Sequence, residues 1–276
     1  MAIAINSWEP EQTDHAREQL RRRGKVVLVG AGPGDPELLT VRAVRRIRAG
    51  DVIVYDRLIH PGVLALARPE AEKIYMGKPQ GHHTRQDEIH VLLVKKAREG
   101  KTVIRLKGGD PFLFGRGGEE VEYLAEHGIP FEVVPGVSSC LSAPLSAGIA
   151  VTHRDASSSI AIVTGHNADG NDDRVDWKAV AKLDTAVFLM GVHNIDAIAR
   201  NLMDAGRSPD TPAAIIQMAF CEGQRTVTAT LASIVAEVRR AEIEPPATLV
   251  VGEVVRLRER LQQLIASNER QKEVEA

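Results

Sequence analysis

The sequence has little of several features that mark particular protein classes. It contains two cysteines, Cys140 and Cys221, and no CxxC pair, which argues against a disulfide framework and a thiolate zinc site. His82 and His83 are adjacent and would face apart on a helix or a strand, so we expect no metal site. The 35 lysines and arginines are balanced by 37 aspartates and glutamates, which excludes the basic excess of a nonspecific nucleic-acid binder.

Long apolar runs are also missing, and their absence indicates where in the cell the protein is expected. No stretch reaches membrane-spanning length, so we expect no membrane association. The first 24 residues contain Glu9, Glu11, Asp14 and Glu18, a pattern typical of neither a signal peptide nor an anchor. We therefore predict a cytoplasmic protein in which residues 1–24 form an N-terminal extension.

Short apolar runs alternate with helical patterns along the rest of the chain. The first series predicts strands at 26–29, 52–55, 103–106 and 131–134, and helices at 38–47, 89–97 and 118–127. The second predicts strands at 160–164, 186–190, 213–218, 225–230 and 248–251, and helices at 195–205 and 231–241. The polar segment 152–159 separates the two series. This order predicts two α/β domains with mostly parallel sheets, at 25–155 and 156–264, and a charged tail at 265–276 that frays.

A glycine-rich turn, GAGPGD at residues 30–35, follows the first predicted strand. A dinucleotide fingerprint would need glycine at Asp35 and backbone N–H donors facing a pyrophosphate. Pro33 removes one donor, and Asp35 adds negative charge where phosphates would lie. The turn therefore suits a ligand without phosphates, or is simply a strand-to-helix turn capped by Asp35.

A second glycine turn leads directly into an arginine framed by glycines. Gly108 and Gly109 allow a ligand to approach the backbone closely, and Asp110 could pair with a ligand ammonium; an ordinary loop is the alternative. Arg116 lies in GRGG at residues 115–118, where it could bind a carboxylate in bidentate fashion.

Further ionisable residues near these turns are individually weak signals. Glu119 and Glu120 could favour a helix N-terminus, an interpretation that suits Glu120 better than Glu119. Asp56 and Lys78 follow apolar stretches, Arg154 lies in THRD, and His166 ends TGH. Each is also explained as a solvated loop residue when it is considered alone.

Eight motifs in chain order nevertheless form one recognisable set. They are VGAGPGD at 29–35, VYDRL at 54–58, GK at 77–78, RLKGGDPF at 105–112, FGRGGEE at 114–120, VPGV at 134–137, THRD at 152–155 and TGH at 164–166. The set resembles the uroporphyrinogen-III C-methyltransferases, within the wider tetrapyrrole methylase family. The resemblance runs from about Lys25 to about Leu261. FGRGGEE together with THRD is more specific to the uroporphyrinogen enzymes than the glycine turns are.

This resemblance implies a fold, an assembly and a set of ligands. It implies the tetrapyrrole methylase fold, with an active site in the trough between two α/β domains, and a homodimer. It implies S-adenosylmethionine as methyl donor, leaving as S-adenosylhomocysteine, and no metal. The expected cofactor contacts are Pro33, Gly108, Gly109, Asp110, Leu113, Ser138, Ser139, Met190 and Ala219. The chain departs from the family pattern at Phe220-Cys221, where Gly-Thr is common, so the Ala219 contact depends on the backbone there.

The implied reaction is C-methylation of uroporphyrinogen III at C2 and C7, giving precorrin-2 through precorrin-1, in the cobalamin, sirohaem or haem d1 pathway. The resemblance makes Asp56 the proton acceptor and Lys78 the proton donor, with Arg116, Glu119, Arg154 and His166 facing the tetrapyrrole. Methyl transfer leaves a cationic ring that must lose a proton, so a base is useful. Arginine is a poor base, although the position of Arg116 also favours a catalytic role.

Three other interpretations stay open at this stage. A tetrapyrrole methylase acting on a later precorrin would share the glycine turns but has less need of the Arg116 and Arg154 motifs. A nicotinamide-dependent dehydrogenase would explain the first glycine turn, against the evidence of Pro33 and Asp35. A noncatalytic anion-binding module would explain the arginines alone.

Overall fold

The computed structural model describes residues 24–77, 86–165 and 174–275. The chain forms two compact units, which divide between Ser138 and Ser139. The sequence suggested a later boundary, between residues 155 and 156. The polar segment 152–159 belongs to the second unit in the structure, because His153 and Ser157 exchange two backbone hydrogen bonds and Asp184 accepts from Ser158 and Ser159.

The first unit contains a five-stranded sheet in the order β3-β2-β4-β1-β5, and every strand pair in it is parallel. Its strands are β1 (Lys25–Gly30), β2 (Val52–Tyr55), β3 (Glu72–Tyr75), β4 (Thr102–Lys107) and β5 (Phe131–Val134). Its helices are α1 (Val41–Ala49), α2 (Pro61–Leu64), α3 (Gln86–Arg98) and α4 (Gly117–Glu126). Since the strands are parallel, the loops that follow them leave from one edge of the sheet.

Both faces of this sheet are covered by helices. Val27 and Val29 point to the face covered by α1 and α2, where Ile47 is fully buried. Val26 and Leu28 point to the opposite face, covered by α3 and α4, where Leu93 is fully buried. This alternation follows from the two-residue period of a strand, and it explains why the strands are apolar on both sides.

The first helix starts later than its apolar spacing predicts. Leu38 lies in a single 3-10 turn, Pro36–Leu38, which Asp35 caps by accepting from the Glu37 backbone N–H at 2.8 Å. Helix α1 begins after Thr40, whose hydroxyl accepts from the Ala43 N–H at 3.1 Å. It ends at Gly50 as predicted.

The second unit also contains a five-stranded sheet, in the order β6-β7-β10-β8-β9. Its strands are β6 (Ile160–Thr164), β7 (Thr185–Leu189), β8 (Pro212–Gln217), β9 (Arg225–Thr230) and β10 (Ala247–Val251). Its helices are α5 (Ser139–Ser146), α6 (Trp177–Lys182), α7 (Ile195–Asp204), α8 (Ile234–Arg240) and α9 (Val254–Glu275). Phe188, Leu202 and Ile215 are at most 1% exposed and anchor its core.

The expectation of a mostly parallel sheet is correct for the first unit and wrong for the second. Among the described strands of the second sheet, β6 and β7 pair in parallel, whereas β7–β10, β10–β8 and β8–β9 are antiparallel. The connection from β8 to β9, residues 218–224, is too short for a crossover and permits only an antiparallel pair. The sheet is therefore mixed.

The C-terminal segment is helical where fraying was expected. Helix α9 continues to Glu275. Residues 265–275 contain no glycine or proline, so no residue type that ends a helix interrupts it. In the part of the chain that the structure describes, no helix is both long and apolar enough to cross a membrane.

Candidate functional site

The loops at the carboxyl edge of the first sheet are packed against one another through glycines. Gly32 and Gly109 exchange two backbone hydrogen bonds, of 3.3 and 2.7 Å. A Cβ on Gly136 would lie 2.2 Å from the Gly109 carbonyl oxygen, and one on Gly30 would lie 2.5 Å from the Gly136 nitrogen. These close approaches require glycine at positions 30 and 136 whether or not a ligand binds.

The GGD turn after β4 has a geometry of its own. Gly109 has φ +65°, a left-handed conformation that favours glycine. Asp110 is not an open carboxylate: Oδ1 accepts from the Phe112 N–H at 2.9 Å, and Oδ2 accepts from the Gly136 N–H at 3.1 Å. It thus joins the loops after β4 and β5, and keeps spare lone pairs for a ligand.

Asp56 lies at the end of β2, on the same edge of the sheet. Its Oδ1 accepts from the Leu58 N–H at 3.1 Å, and its Oδ2 lies 3.6 Å from Nη2 of Arg105. The side chain is 31% exposed. The carboxylate is therefore held on both oxygens and is still open to solvent.

Behind Asp56 lies a cluster of buried charges. The Glu120 side chain is fully buried, and its Oε1 accepts from Lys107 Nζ at 2.7 Å, from Arg105 Nε at 3.3 Å and from Gln86 Nε2 at 3.0 Å. Arg105 and Lys107 are 4% and 5% exposed. Burial lowers the pKa of Lys107, and the neighbouring Arg105 lowers it further, while Glu120 and Asp56 oppose the shift.

The sequence analysis missed this cluster and assigned Glu120 to a helix N-terminus. A signal was nonetheless present in TVIRLK, the sequence of β4. Alternation places Arg105 and Lys107 on the same face as Val103, and in a parallel sheet both faces are covered. Two cations on a buried face require a buried counter-ion, which α4 supplies.

Arg116 and Glu119 form a separate, exposed ion pair at the start of α4. Arg116 has φ +57° and donates from Nε at 2.9 Å and from Nη2 at 2.6 Å to the two oxygens of Glu119. The two side chains are 55% and 50% exposed. The hydrogen bonds from Arg116 lower the pKa of Glu119. The neighbouring Gly117 is required by the turn itself, because a Cβ there would lie 2.3 Å from the Pro111 carbonyl oxygen.

The remaining first-unit residues of the expected cofactor set lie near these loops in sequence. Pro33 follows β1, Leu113 lies between the GGD turn and Arg116, and Ser138 follows β5. All three are partly exposed. Lys78, the expected proton donor, lies outside the described residues.

In the second unit, the expected contacts occupy unusual backbone conformations. Met190 follows β7, has φ +56° and is 50% exposed. Ala219 follows β8 between Met218 and Phe220, which have φ +52° and +59°. Phe220 thus adopts a conformation that favours glycine, the residue common in the family at this point. A hydrogen bond from the Phe220 N–H to Gln224 Oε1 at 2.9 Å holds this turn.

The other second-unit residues are less constrained. Ser139 is the first residue of α5 and is partly exposed. Arg154 is exposed in a turn where the Asp155 N–H donates to His153 Nδ1 at 3.2 Å. His166 lies outside the described residues. Within the described ranges, no three His, Cys, Asp or Glu side chains form a group that could hold a metal ion.

The profile of the Tetrapyrrole (Corrin/Porphyrin) Methylases matches residues 25–235. The chain belongs to the tetrapyrrole methylase family. A uroporphyrinogen-III C-methyltransferase of Priestia megaterium is 50% identical over 84% of this chain and 98% of its own length. A sirohaem synthase of Pseudomonas putida is 50% identical over 88% of this chain. The chain spans about half the length of such sirohaem synthases, 52% in that case.

A solved structure gives the same family assignment. The Thermus thermophilus uroporphyrin-III C-methyltransferase, complexed with S-adenyl homocysteine, aligns with a TM-score of 0.74 at 46% identity. The alignment covers 85% of this chain and all of that one. The family and the α/β fold that the sequence predicted are therefore confirmed.

Proposed function

We propose that the chain catalyses the S-adenosylmethionine-dependent C-methylation of uroporphyrinogen III at C2 and C7. The product is precorrin-2, formed through precorrin-1 with release of two S-adenosylhomocysteine. The observation that carries this proposal is the 50% identity to the Priestia megaterium uroporphyrinogen-III C-methyltransferase over nearly all of that enzyme's length. Precorrin-2 feeds the cobalamin, sirohaem and haem d1 pathways, and the sirohaem synthases among the relatives favour the sirohaem route.

The loop chemistry fits a cofactor without phosphates. A helix N-terminus that binds pyrophosphate must offer free backbone N–H groups. Here Pro33 has none, and Asp35 already accepts from the Glu37 N–H. Since S-adenosylmethionine has no phosphate group and supplies an activated methyl group when bound, this loop suits it better than a dinucleotide.

The proposed cofactor contacts are those that the family resemblance implies. They are Pro33, Gly108, Gly109, Asp110, Leu113, Ser138, Ser139, Met190 and Ala219. The left-handed backbone at Gly109 and on both sides of Ala219 supports contact through the main chain at these positions. A main-chain contact would tolerate the Phe220-Cys221 departure, because the turn keeps the conformation that glycine would allow.

The tetrapyrrole carries eight carboxylates, whereas the chain has a net charge of -2, so local cations must hold the substrate. We assign this role to Arg116 and Arg154, both exposed, and to His166. Glu119 is also proposed to face the tetrapyrrole, as the family resemblance implies. Its bidentate pair with Arg116 shows that this guanidinium can bind a carboxylate through two nitrogens.

Asp56 is the proposed proton acceptor and Lys78 the proposed donor. Asp56 is suited to removing a proton, because its carboxylate is partly exposed and ion-paired with Arg105. The positive φ of Arg116 and its place directly after the proposed cofactor turn give it a further, catalytic role in placing charge. The activity needs no metal, because the methyl group arrives already activated.

We also propose that the protein is a homodimer, as the family resemblance implies. Leu261, Leu264 and Ile265 on α9 are about half exposed at helical spacing, and a second copy could cover them. Light scattering of the purified protein should give twice the monomer mass, and a monomer mass at all concentrations would refute the proposal. A cytoplasmic location stays a prediction from the sequence.

The decisive experiment supplies labelled S-adenosylmethionine and uroporphyrinogen III to the protein under anaerobic conditions. The proposal predicts label in the macrocycle, while a later-precorrin methylase would leave uroporphyrinogen III unlabelled. Binding of S-adenosylhomocysteine without any methyl transfer would instead indicate a noncatalytic module.

A further inference from the structure

The roles proposed above leave the buried charge cluster without a function. It consists of Arg105 and Lys107 on β4 and Glu120 on α4, with Gln86 of α3 completing the contacts of Glu120 Oε1. The other oxygen, Glu120 Oε2, is buried and has no hydrogen-bond partner within the described structure. The cluster therefore buries three ionisable side chains and one carboxylate oxygen that has no hydrogen-bond partner among the described residues.

Stability alone gives a weak reason for such an arrangement. Removing charges from water is unfavourable, and buried ion pairs can commonly be replaced by apolar side chains without loss of stability. The same face of the sheet is filled elsewhere by Val26, Leu28 and Val103. Leucine or valine at positions 105 and 107 would continue that apolar packing.

The cluster extends to Asp56 through a single side chain. Each donor group of Arg105 has a defined partner: Nε meets Glu120, Nη1 donates to the Leu106 carbonyl oxygen at 3.0 Å, and Nη2 lies 3.6 Å from Asp56 Oδ2. Lys107 in turn fixes Glu120. The contacts with Glu120 and with the Leu106 carbonyl oxygen thus fix the guanidinium that faces Asp56.

Two carboxylates face the two basic side chains of the cluster. Glu120 contacts both Arg105 and Lys107 in the interior, and Asp56, which is 31% exposed, faces Arg105 at the outer end. Burial lowers the pKa of His90 below its ordinary value, and the negative charge of Glu120 opposes this shift.

We propose that Arg105 is a positioning residue that holds the Asp56 carboxylate in one orientation, with Glu120 and Lys107 fixing Arg105. The proposal rests on the proposed function, in which Asp56 accepts the proton released after methyl transfer. Arg105 is buried, with 4% of its surface exposed, and is not among the proposed substrate or cofactor contacts. It acts through Asp56, whose Oδ1 is fixed independently by the Leu58 N–H.

The primary test compares Arg105→Gln and Arg105→Lys with a matched control. The control is Arg68→Gln, because Arg68 pairs with Asp51 at 2.7 Å near the opposite end of the same strand, β2. Arg105→Gln should lower kcat roughly tenfold to a hundredfold, while the KM for uroporphyrinogen III and the affinity for S-adenosylhomocysteine change little. Arg105→Lys should restore part of the loss, and Arg68→Gln should keep wild-type turnover.

The pattern of kinetic effects separates positioning from a merely structural role. A general disturbance of the fold would change KM and the affinity for S-adenosylhomocysteine together with kcat, whereas a positioning role lowers kcat alone and is partly restored in Arg105→Lys. The orientation of the Asp56 side chain can also be followed at one fixed pH through the chemical shift of its carboxyl carbon, assigned with Asp56→Asn, which should change in Arg105→Gln and not in Arg68→Gln. This measurement needs no activity, so it tests the proposal even if the methylation assay fails.

A double-mutant cycle completes the experiment. If Arg105 acts through Asp56, then Arg105→Gln should cost little further rate once Asp56→Asn is present. Additive losses in the cycle, or an Asp56 carboxyl chemical shift that is identical in wild type and Arg105→Gln, would overturn the proposal. If Arg105→Gln fails to fold, an unchanged kcat in the folded Arg105→Lys, together with an unchanged Asp56 carboxyl chemical shift, would overturn it equally. Failure of the wild-type protein to methylate would refute the proposed function instead.

Discussion

Arg116 is an exposed residue whose guanidinium is paired with a carboxylate of the same chain. In the described structure its guanidinium is paired with Glu119 through two nitrogens, although the two side chains are 55% and 50% exposed. An exposed pair of this kind contributes little to stability, typically below about 1 kcal/mol. The left-handed backbone at Arg116 is unfavourable for a residue with a Cβ. A strained, exposed arginine is better explained by ligand binding than by folding.

Substitution of Arg116 should therefore affect turnover and leave folding and cofactor binding intact. We expect Arg116→Lys to lose most of the methylation rate and Arg116→Ala nearly all of it, because lysine cannot reproduce the planar fork. A charge-assisted hydrogen bond is worth about 1.5–3 kcal/mol, which corresponds to roughly tenfold to a few hundredfold in rate. S-adenosylhomocysteine affinity, measured by calorimetry, should stay close to wild type.

Arg239→Ala is the matched control for Arg116. Arg239 donates to both carboxylate oxygens of Asp196 at 2.8 Å and is also exposed, so its loss removes a comparable ion pair elsewhere. Turnover should be unaffected in this variant. Full activity in Arg116→Ala would contradict the proposed substrate site, and a loss far beyond a few hundredfold would indicate direct participation in the chemistry.

His90 gives a prediction about acid stability. Its imidazole is 7% exposed and stacks on Tyr123 with ring centroids 4.9 Å apart. Burial lowers its pKa, while the carboxylate of Glu120 partly offsets the shift. The unfolded chain, in which the histidine pKa is about 6.5, therefore takes up the proton first, so the free energy of unfolding should fall as pH drops below about 6.5.

His90→Phe keeps the ring stack and removes the titration, so it should lessen this decline. The measurement is urea unfolding between pH 7.5 and 5, with the exposed His193→Phe as control. The control should show the wild-type slope. Equal slopes in wild type and His90→Phe would show that the buried imidazole is not the group that is titrating.

At the scale of elements, the loops after β1, β4 and β5 form a tightly hydrogen-bonded edge. Sequence reasoning correctly located these loops, because glycines that follow apolar runs indicate strand ends. It explained these glycines by ligand contact or by ordinary turns at the strand ends. The structure shows that Gly30 and Gly136 are required by backbone approaches between loops, which a single sequence cannot reveal because the partner loop is distant in the chain.

A substitution at Gly109 can separate the two reasons for a glycine in these loops, namely contact with a ligand and the conformation of the loop itself. Gly109→Val introduces a side chain in a left-handed conformation at the proposed cofactor turn, and it should abolish S-adenosylhomocysteine binding in calorimetry. Gly128→Val is the control, because Gly128 has φ +66° and, among the described residues, nothing lies within 4 Å of where its Cβ would be. Both variants should lose about 1–2 kcal/mol of stability from backbone strain. Normal binding in folded Gly109→Val would remove this turn from the cofactor site.

Most strands were predictable within one or two residues, because apolar runs bounded by turn residues are distinctive. Besides α9, four elements were missed for local reasons. The edge strand β3 has the exposed residues Glu72 and Lys73, and α5 contains Pro144, while α2 and α6 are only four and six residues long. Such patterns lack the periodicity on which sequence reasoning depends.

At the scale of the whole molecule, the family could be predicted but parts of the architecture could not. Strand order and direction in the second sheet depend on β10 lying between β7 and β8, a pairing set by long-range packing. The buried cluster also depends on a long-range fact, namely that Glu120 on α4 comes to face Arg105 and Lys107 on β4. Motifs identify a family because they are local, whereas these contacts are not.

We expect the proposed methylation to proceed without a metal ion. Because an activated methyl group needs no Lewis acid, turnover should survive exhaustive dialysis against a chelator at the wild-type rate. Loss of activity that zinc or magnesium restores would mean that a metal takes part in the reaction. A chelator-treated sample that still binds S-adenosylhomocysteine provides the control for intact protein.

The proposed addition of two methyl groups to uroporphyrinogen III can be measured directly. The protein is incubated anaerobically with uroporphyrinogen III and excess S-adenosylmethionine, the macrocycle is analysed by mass spectrometry, and S-adenosylhomocysteine is quantified. We expect a macrocycle that is heavier by two methyl groups, a transient singly methylated species, and two S-adenosylhomocysteine for each product. An unmodified macrocycle, with active Priestia megaterium enzyme in a parallel reaction, would refute the proposed function.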